Sequence, residues 1–213
     1  FGTERDTNRI GYEYLLHSTA PVPTPQPLPT VRIGGPDCLQ PYDISLLNIS
    51  SMSFGSLSKN AVLAMNKGAG MGGFIHETGE GGLTKFHRGN GADLFWEIGS
   101  GYFGCRDAEG RFDPERFAAN AARPQVRMIE VKLSQGAKPG HGGMLPAAKV
   151  SAEIAATRGV LPGVDCISPA QHAAFATPVE LLQFVDRLRS LAGDKPTGFK
   201  LAIESHFRTM TCI

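Results

Sequence analysis

The chain has few of the residues that mark several common classes of protein. Only four of its 213 residues are cysteines, at positions 38, 105, 166 and 212, and no two of them form a C-x-x-C pair. This number and spacing argue against a disulfide scaffold and give no support for an iron–sulfur cluster. The histidines show no metal-ligand spacing with acids or cysteines, so no metal site is predicted. We therefore expect reduced thiols in a cytosolic protein.

Charge imbalance and long apolar runs are also absent. The 21 basic and 20 acidic residues give a formal net charge of +1, which predicts no binding to nucleic acid or to an anionic membrane. No apolar run approaches the roughly 18 residues of a membrane span. The first residues do not resemble a secretory signal. These features predict a cytoplasmic protein, and they leave open a membrane anchor in a region that precedes this sequence.

A proline-rich segment is the first distinctive feature that is present. Residues 19–29 carry a proline at every second position. Such spacing fixes the backbone and removes donors, which is typical of an extended polyproline strap. Both a linker lying across a neighbouring surface and a ligand for a proline-reading partner remain open. We assign residues 1–43 to an N-terminal arm that contains this strap.

Short apolar runs then alternate with amphipathic segments. Strands are predicted at residues 44–49, 72–76, 128–133 and 197–203, and helices at 59–68, from Asp113, at 147–158 and at 177–191. A long polar excursion is expected between the second strand and the helix at Asp113. Alternation of this kind predicts an α/β fold of the (β/α)8 TIM-barrel type, with about the first half present over residues 44–213. Because a half-barrel exposes two sheet edges, we expect the chain to be a fragment.

The stretch from Val131 to Pro146 is the most informative part of the chain. An apolar strand runs into a loop with four glycines, which also carries Lys132, Gln135, Lys138 and His141. Ligands of α/β proteins bind beyond the carboxyl ends of strands, where glycines let the backbone approach closely. The loop is longer than a turn requires, so it predicts a ligand site. A phosphate loop is poorly supported, because no Gly-Lys-Ser/Thr follows.

Four motifs in one order carry a resemblance to a known family. They are SMSFGS at 51–56, TGEGG at 78–82, QGAKPG at 135–140 and ISP at 167–169. In order and spacing they resemble the FMN-binding domain of glutamate synthases, most closely the stand-alone FMN-binding glutamate synthase family proteins. The likeness covers about residues 37–201. It implies an FMN-dependent oxidoreductase acting on CH-NH2 donors, which reduces the imine of 2-oxoglutarate and ammonia to glutamate.

The resemblance also implies partners and residue roles. A 2-oxo acid and ammonia would be the small-molecule substrates; the electron donor is unknown, and a glutaminase or reductase partner is left open. The implied site residues are, for the cofactor, Ser51, Met52, Ser53, Lys132 and Gln135; for the substrate, Lys138, His141 and Ser168; and for catalysis, Glu80 and Lys138. Lys132 would place a positive charge near the flavin, which stabilises its reduced anionic form.

Two residues depart from the pattern of the large synthases. His141 and Met144 stand where those enzymes carry glutamate and glutamine, and a methionine side chain cannot hydrogen-bond a carboxylate or amide. This puts 2-oxoglutarate specificity in question. Lys132 could instead be a strand-end lysine paired with Glu130 or reaching solvent. Two other functions stay open: another FMN- or phosphate-binding barrel enzyme, with Lys132 forming a Schiff base, and a non-catalytic truncated remnant.

Overall fold

The computed structural model describes residues 6–13, 16, 18–133 and 140–202, and it contains strands and helices in alternation. The strands are β1 (Thr30–Ile33), β2 (Tyr42–Ser45), β3 (His76–Glu77), β4 (Leu94–Ile98), β5 (Val126–Lys132), β6 (Met144–Leu145), β7 (Cys166–Ile167) and β8 (Thr197–Lys200). The helices are α1 (Lys59–Gly72), α2 (Pro114–Ala121), α3 (Ala152–Arg158) and α4 (Pro178–Leu191), with a 3-10 turn at Ala147–Lys149.

The central sheet consists of four parallel strands in the order β3-β4-β5-β8. Ile49 adds one parallel bridge to His76 at the outer side of β3. Helix α2 lies in the connection from β4 to β5, and α3 and α4 lie in the connection from β5 to β8, as parallel pairing requires a crossover. The structure thus has a mixed α/β architecture with a parallel sheet. None of the helices it describes has the length and apolar character needed to cross a membrane.

Local sequence signals account for the ends of the helices. The hydroxyl of Ser58 accepts a hydrogen bond from the amide of Ala61, which caps α1 as its position predicts. Thr177 and Glu180 form a reciprocal capping box at the start of α4. Asp113 caps α2, where Pro114 occupies the first turn. The sequence therefore places these three helix starts correctly.

Two apolar clusters hold the helices in place. In the larger one, Trp96 and Val131 of the sheet pack against Phe117 of α2 and Leu188 of α4, and all four are fully buried. The rings of Trp96 and Phe117 stack with centroids 5.3 Å apart. The second cluster joins α1, α3 and the β6–β7 pair. Burial of each large side chain contributes about 1.5–3 kcal/mol, so these clusters fix the strands that carry the site.

An N-terminal hairpin is anchored to the far end of α4. Strands β1 and β2 pair antiparallel, and the loop between them reaches the residues that follow α4. The Sγ atom of Cys38 donates to the carbonyl of Asp194 at 3.3 Å, and Arg189 donates to the carbonyl of Asp37 at 3.0 Å. The amide of Leu39 also donates to the Asp194 carboxylate. The hairpin is thus held against the carboxyl end of α4.

Several predicted elements are wrong in extent or type. The predicted strand 44–49 is the end of antiparallel β2 followed by a single bridge at Ile49. The predicted polar excursion contains β4, whose Leu94, Trp96 and Ile98 are fully buried. Helix α1 runs on to Gly72, so β3 has two residues only. The helix predicted at 147–158 breaks after its first turn, because Ser151 caps a separate α3.

Candidate active site

The register of the sheet places charged side chains on one face. Glu97 lies beside Glu130 in the β4–β5 pair, and Lys132 lies beside Lys200 in the β5–β8 pair. Side chains alternate along a strand, so paired residues point to the same face. Trp96 therefore points to the helices, whereas Glu97 points to the opposite, inner face. These charged residues lie near the carboxyl ends of their strands.

We call Ser51, Glu77, Glu97, Glu130 and Lys200 the glutamate–lysine cluster. The amino group of Lys200 lies 2.7 Å from Glu130 Oε1 and 2.9 Å from Ser51 Oγ, and it also contacts the carboxylates of Glu77 and Glu97. The Ser51 hydroxyl lies 2.6 Å from Glu97 Oε2. Glu97 is 1% exposed. One lysine thus neutralises part of a buried group of three acids.

The carboxyl groups of this cluster have different pKa values. Burial raises the pKa of Glu130 to about 8, helped by its hydrogen bond to Glu77. Burial and a hydrogen bond to Glu77 also raise the pKa of Glu97. For Glu77, burial is outweighed by hydrogen bonds from Glu97, Glu130, Lys200 and Ser51, and its pKa is lowered to about 2. Within the cluster, a proton is therefore held more readily by Glu130 and Glu97 than by Glu77.

The same three carboxylates have the geometry of a cation site. One oxygen from each of Glu77, Glu97 and Glu130 lies within 4.8 Å of the others. The prediction of no metal site was based on histidine and cysteine spacing, which could not reveal this arrangement. Lys200 already places a cation among these oxygens. The cluster thus supplies its own positive charge.

Lys132 and Glu80 form a second charged pair, next to the cluster. The amino group of Lys132 lies 2.9 Å from Glu80 Oε2 and 4.0 Å from Glu97 Oε1. The partner of Lys132 is thus Glu80, not Glu130 as one alternative had it. Two glycines make room for Glu80: a Cβ at Gly99 would lie 3.0 Å from its Cβ, and one at Gly143 would lie 2.5 Å from Oε1. Side chains at these glycines would displace the carboxylate.

A cavity of about 330 Å³ opens at this end of the sheet. The described site residues predicted from sequence that line it are Ser51, Met52, Ser53, Glu80, Lys132 and Ser168. The 51–53 segment lies directly on the loop after β3, because a Cβ at Gly79 would be 2.7 Å from the Ser53 nitrogen. The carbonyl of Met52 is held by His87 Nε2 at 3.0 Å. Separate predictions from four parts of the chain thus meet around one cavity.

The remaining predicted residues fall elsewhere. His141 is exposed and does not line the cavity, although its neighbour Gly143 does. Met144 lines it with 62% of its surface exposed. Gln135 and Lys138 lie outside the described residues, so their roles stay predictions.

Sequence reasoning missed Arg158, at the end of α3. This arginine lines the cavity and is 6% exposed. It donates to the carbonyl of Phe54 at 3.2 Å and lies over the Phe103 ring at 5.0 Å. No carboxylate in the described part of the chain forms an ion pair with it, and its Nε atom lacks a hydrogen-bond partner there. A buried arginine in this state suits an anionic ligand.

The glutamate–lysine cluster was also missed, although the sequence carries a signal for it. Glu97 and Glu130 each interrupt an apolar run near the end of a strand, in FWEIG and MIEVK, and Lys200 does so in GFKLA. Acids and lysines are rarely buried without partners. A charged residue repeated at the same place in successive strands therefore predicts that their side chains meet.

Comparison with known proteins identifies the family of this chain. A family model described as a conserved region in glutamate synthase matches residues 39–212. This match covers most of the chain and contains every residue of the cavity. The chain belongs to the glutamate synthase family.

Individual members of the glutamate synthase family support this assignment. The chain is 43% identical over 171 residues to a glutamate synthase large subunit-like protein, YerD, of Bacillus subtilis (strain 168), covering 79% of this chain and 32% of that protein. It is 39% identical over 155 residues to the archaeal glutamate synthase [NADPH] of Methanocaldococcus jannaschii, covering 72% and 28%. The archaeal-type glutamate synthase [NADPH] of Thermotoga sp. (strain RQ2) is 35% identical over 154 residues, with the same coverage. The chain thus spans about a third of the length of these relatives.

Proposed function

We propose that this chain forms part of a (β/α)8 barrel that carries an FMN-dependent, glutamate synthase-like activity. The reaction is the reduction of the imine formed from 2-oxoglutarate and ammonia, which yields glutamate. The observation that carries the proposal is the cavity at the carboxyl ends of the parallel strands, where Lys132, Glu80 and Arg158 converge. Membership of the glutamate synthase family supports it.

The residues around the cavity fit a flavin. A flavin ring presents a polar edge that needs donors and acceptors, and a cation near N1 favours its reduced form. Lys132 supplies a cation with 13% of its side chain exposed, and Ser51, Met52 and Ser53 line the cavity with it. The loop after β3 supports this side of the cavity, because Gly79 packs against the backbone of Ser53. When bound, FMN would supply hydride transfer to the substrate.

Arg158 fits a carboxylate of the 2-oxo acid. Its guanidinium group lines the cavity without an ion-pair partner among the described residues, so substrate would bind a cation that is already desolvated. The family pattern adds Lys138 as a second cation. Leu145 and Leu57 add apolar surface to the cavity wall.

Glu80 is placed to move a proton. Its carboxylate is held by Lys132 at 2.9 Å and lines the cavity with 24% of its side chain exposed. In this position it accepts a proton from incoming ammonium and returns it as the imine is reduced. Replacing Glu80 with Gln keeps its size and removes the base, so imine turnover should fall while flavin stays bound. Unchanged turnover in that variant would remove this role.

Purification of the full-length protein tests the proposal. We expect a yellow protein with flavin absorbance that forms glutamate from 2-oxoglutarate, ammonia and a reductant. Lys132→Met should bind flavin more weakly, whereas Lys149→Met, at an exposed lysine away from the cavity, should not. A colourless wild-type protein that is labelled at Lys132 by borohydride with a carbonyl substrate would support Schiff-base chemistry instead. Absence of a cooperative melt with or without FMN would support a non-catalytic remnant.

The exposed position of Met144 on the cavity favours a second candidate, a different amino or oxo acid substrate. A thioether offers no strong hydrogen bond to a carboxylate or amide. If 2-oxoglutarate is a poor substrate for this reason, Met144→Gln should raise its kcat/KM and lower that of apolar 2-oxo acids. Equal effects on both substrate classes would contradict this candidate.

A further inference from the structure

A buried tyrosine and histidine connect two loops to the end of β5 at the cavity end of the sheet. Tyr102 is 1% exposed and His172 is 7% exposed. Tyr102 belongs to the loop after β4, and His172 to the loop between β7 and α4. Neither residue lines the cavity. Their polar atoms therefore form hydrogen bonds with other groups of the protein and do not face the cavity.

The donor and the acceptor can be assigned in each hydrogen bond of Tyr102 and His172. His172 Nε2 lies 2.8 Å from the main-chain carbonyl of Lys132, which can only accept, so Nε2 carries the proton. Nδ1 then accepts from the Tyr102 hydroxyl at 3.2 Å. The same hydroxyl oxygen accepts from the amide of Ala174 at 3.1 Å. The chain of bonds begins at Ala174 and ends at the last residue of β5.

The backbone of Tyr102 is shaped for this arrangement. Its φ of +49° lies in the left-handed region, which is uncommon for a residue with a Cβ. The amide of Tyr102 donates to Gly99 O and its carbonyl accepts from Cys105 N, both at 2.9 Å, which fixes this turn. The ring packs on His172 with centroids 5.3 Å apart. The turn thus directs the hydroxyl at the histidine.

We propose that Tyr102 and His172 are positioning residues, which hold Lys132 through its main-chain carbonyl and thereby set the place of the Lys132–Glu80 pair. Lys132 is then fixed at two points, by His172 at its backbone and by Glu80 at its amino group. We call the hydrogen bonds from Tyr102 through His172 to the Lys132 carbonyl the relay. Because Lys132 is also the last residue of β5, the relay fixes where the glycine-rich loop begins. The role in catalysis rests on the function proposed above.

Reactivity of individual lysines tests the relay without a cofactor. In the flavin-free full-length protein, acetic anhydride labelling followed by mass spectrometry gives a rate for each lysine. Loss of a hydrogen bond in Tyr102→Phe should raise the rate at Lys132 by about fivefold. His172→Phe should raise it further, and His172→Gln, whose amide can still donate to the Lys132 carbonyl, should restore part of the protection. Rates at the exposed Lys59 should not change.

Two matched controls distinguish positioning from folding. Tyr42→Phe removes a tyrosine hydrogen bond of the same kind, to Asp93 at 3.1 Å, away from the cavity, and should leave the rate at Lys132 unchanged. Lys195, buried at the opposite end of β8, reports unfolding because its labelling rises only when the domain opens. If His172→Phe raises the labelling rate of Lys195, that variant has partly unfolded. The labelling of Lys132 in the milder Tyr102→Phe then decides between positioning and folding. Wild-type labelling of Lys132 in Tyr102→Phe would overturn the proposal.

Enzyme kinetics then separates this proposal from the function on which it rests. If the protein makes glutamate, Tyr102→Phe should lower kcat by about tenfold with little change in KM, because the reacting groups are misplaced while the substrate still binds. If the wild-type protein makes none, the proposed function fails, yet the labelling rates still decide the relay.

Discussion

Strand β4 carries Trp96 on one face and Glu97 on the other, and both are buried almost completely. Trp96 contacts α2 through an apolar surface in which shape decides the fit. Glu97 lies among two other acids, a serine and a lysine, where each charge depends on a partner. The helix-facing side therefore stabilises the fold, whereas the inner face provides charges that burial alone would disfavour. Substitutions of single residues separate these contributions.

The largest effect is expected on the helix-facing side. Trp96→Ala removes a fully buried ring and its stack on Phe117, and should lower the free energy of unfolding by about 3–5 kcal/mol. Denaturant unfolding of the full-length protein measures this. Trp96→Phe, which keeps an apolar ring, serves as the control and should lose much less. Equal losses for both would show that volume at this position matters little.

On the inner face, Lys200→Met should destabilise in a pH-dependent way. The variant leaves three acids without their cation. We expect the free energy of unfolding to fall by about 1–3 kcal/mol and not more, because the lysine side chain is 36% exposed and water screens part of its charge. The remaining carboxyl groups would then have raised pKa values in the folded state, as Glu130 already has. Stability from such groups is lost as pH rises, so the deficit should be larger at about pH 8 than at about pH 5. A deficit that shrinks towards high pH would contradict this account.

Two neighbouring histidines allow a matched comparison of buried polar groups. Their rings lie 5.3 Å apart, but His87 bonds to Thr84 and the Met52 carbonyl, whereas neither ring nitrogen of His76 has a hydrogen-bond partner in the described structure. His87→Leu should therefore cost about 1–3 kcal/mol, and His76→Leu should be neutral or stabilising. A destabilisation by His76→Leu equal to that of His87→Leu would contradict the difference.

The buried His76 also predicts that the stability of the protein depends on pH. Burial, followed by the charge of His87, lowers the pKa of His76 from 6.5 to about 4. The unfolded state then binds a proton first, so stability is lost as pH falls from 6.5 to about 4. His76→Leu should remove part of this acid loss, which thermal melts across that range would measure. Identical acid sensitivity in wild type and variant would show that other groups cause it.

The smallest effect is expected at an exposed ion pair. Arg32 contacts Asp43 across the β1–β2 hairpin at 2.8 Å, but 65% and 49% of these side chains are exposed. Exposed pairs contribute little because water and salt screen them. Arg32→Ala should leave the unfolding midpoint unchanged within error, at low and at high salt. A clear loss confined to low salt would show that this pair matters more than its exposure suggests.

How much could be predicted from the sequence differs between the helices and the strands. Ser58, Asp113 and Thr177 mark helix starts by local chemistry, so all three were placed correctly. Strand β4 was missed because its five residues lie between polar and glycine-rich segments, and its burial depends on helices far along the chain. The strand predicted at residues 72–76 overlaps the two-residue β3 only at His76, because α1 runs on to Gly72. Capping residues in the sequence thus predicted the helix starts, which depend on local interactions, whereas β4 depends on contacts with distant residues.

The candidate site divides in the same way. Ser51 and Glu80 belong to motifs, Lys132 lies in the stretch from Val131 to Pro146, and all three line one cavity. Arg158 and Lys200 belong to no motif that we singled out, and their importance comes from burial and register. Pairing of Lys200 with Lys132 requires the alignment of two strands that are separated along the chain by β6, α3, β7 and α4, which no single stretch of sequence encodes. The fold had to be known before these residues could be assigned to the site.

The anchoring of the N-terminal hairpin has a consequence for synthesis of the protein. The bond from Cys38 to Asp194 joins residues separated by 156 positions. At ribosomal rates of about 5–20 residues per second, the hairpin waits about 8–30 s for its docking site to be made. During that time its strand edges can pair with other chains. The hairpin therefore reaches its final contacts only after α4 has been synthesised.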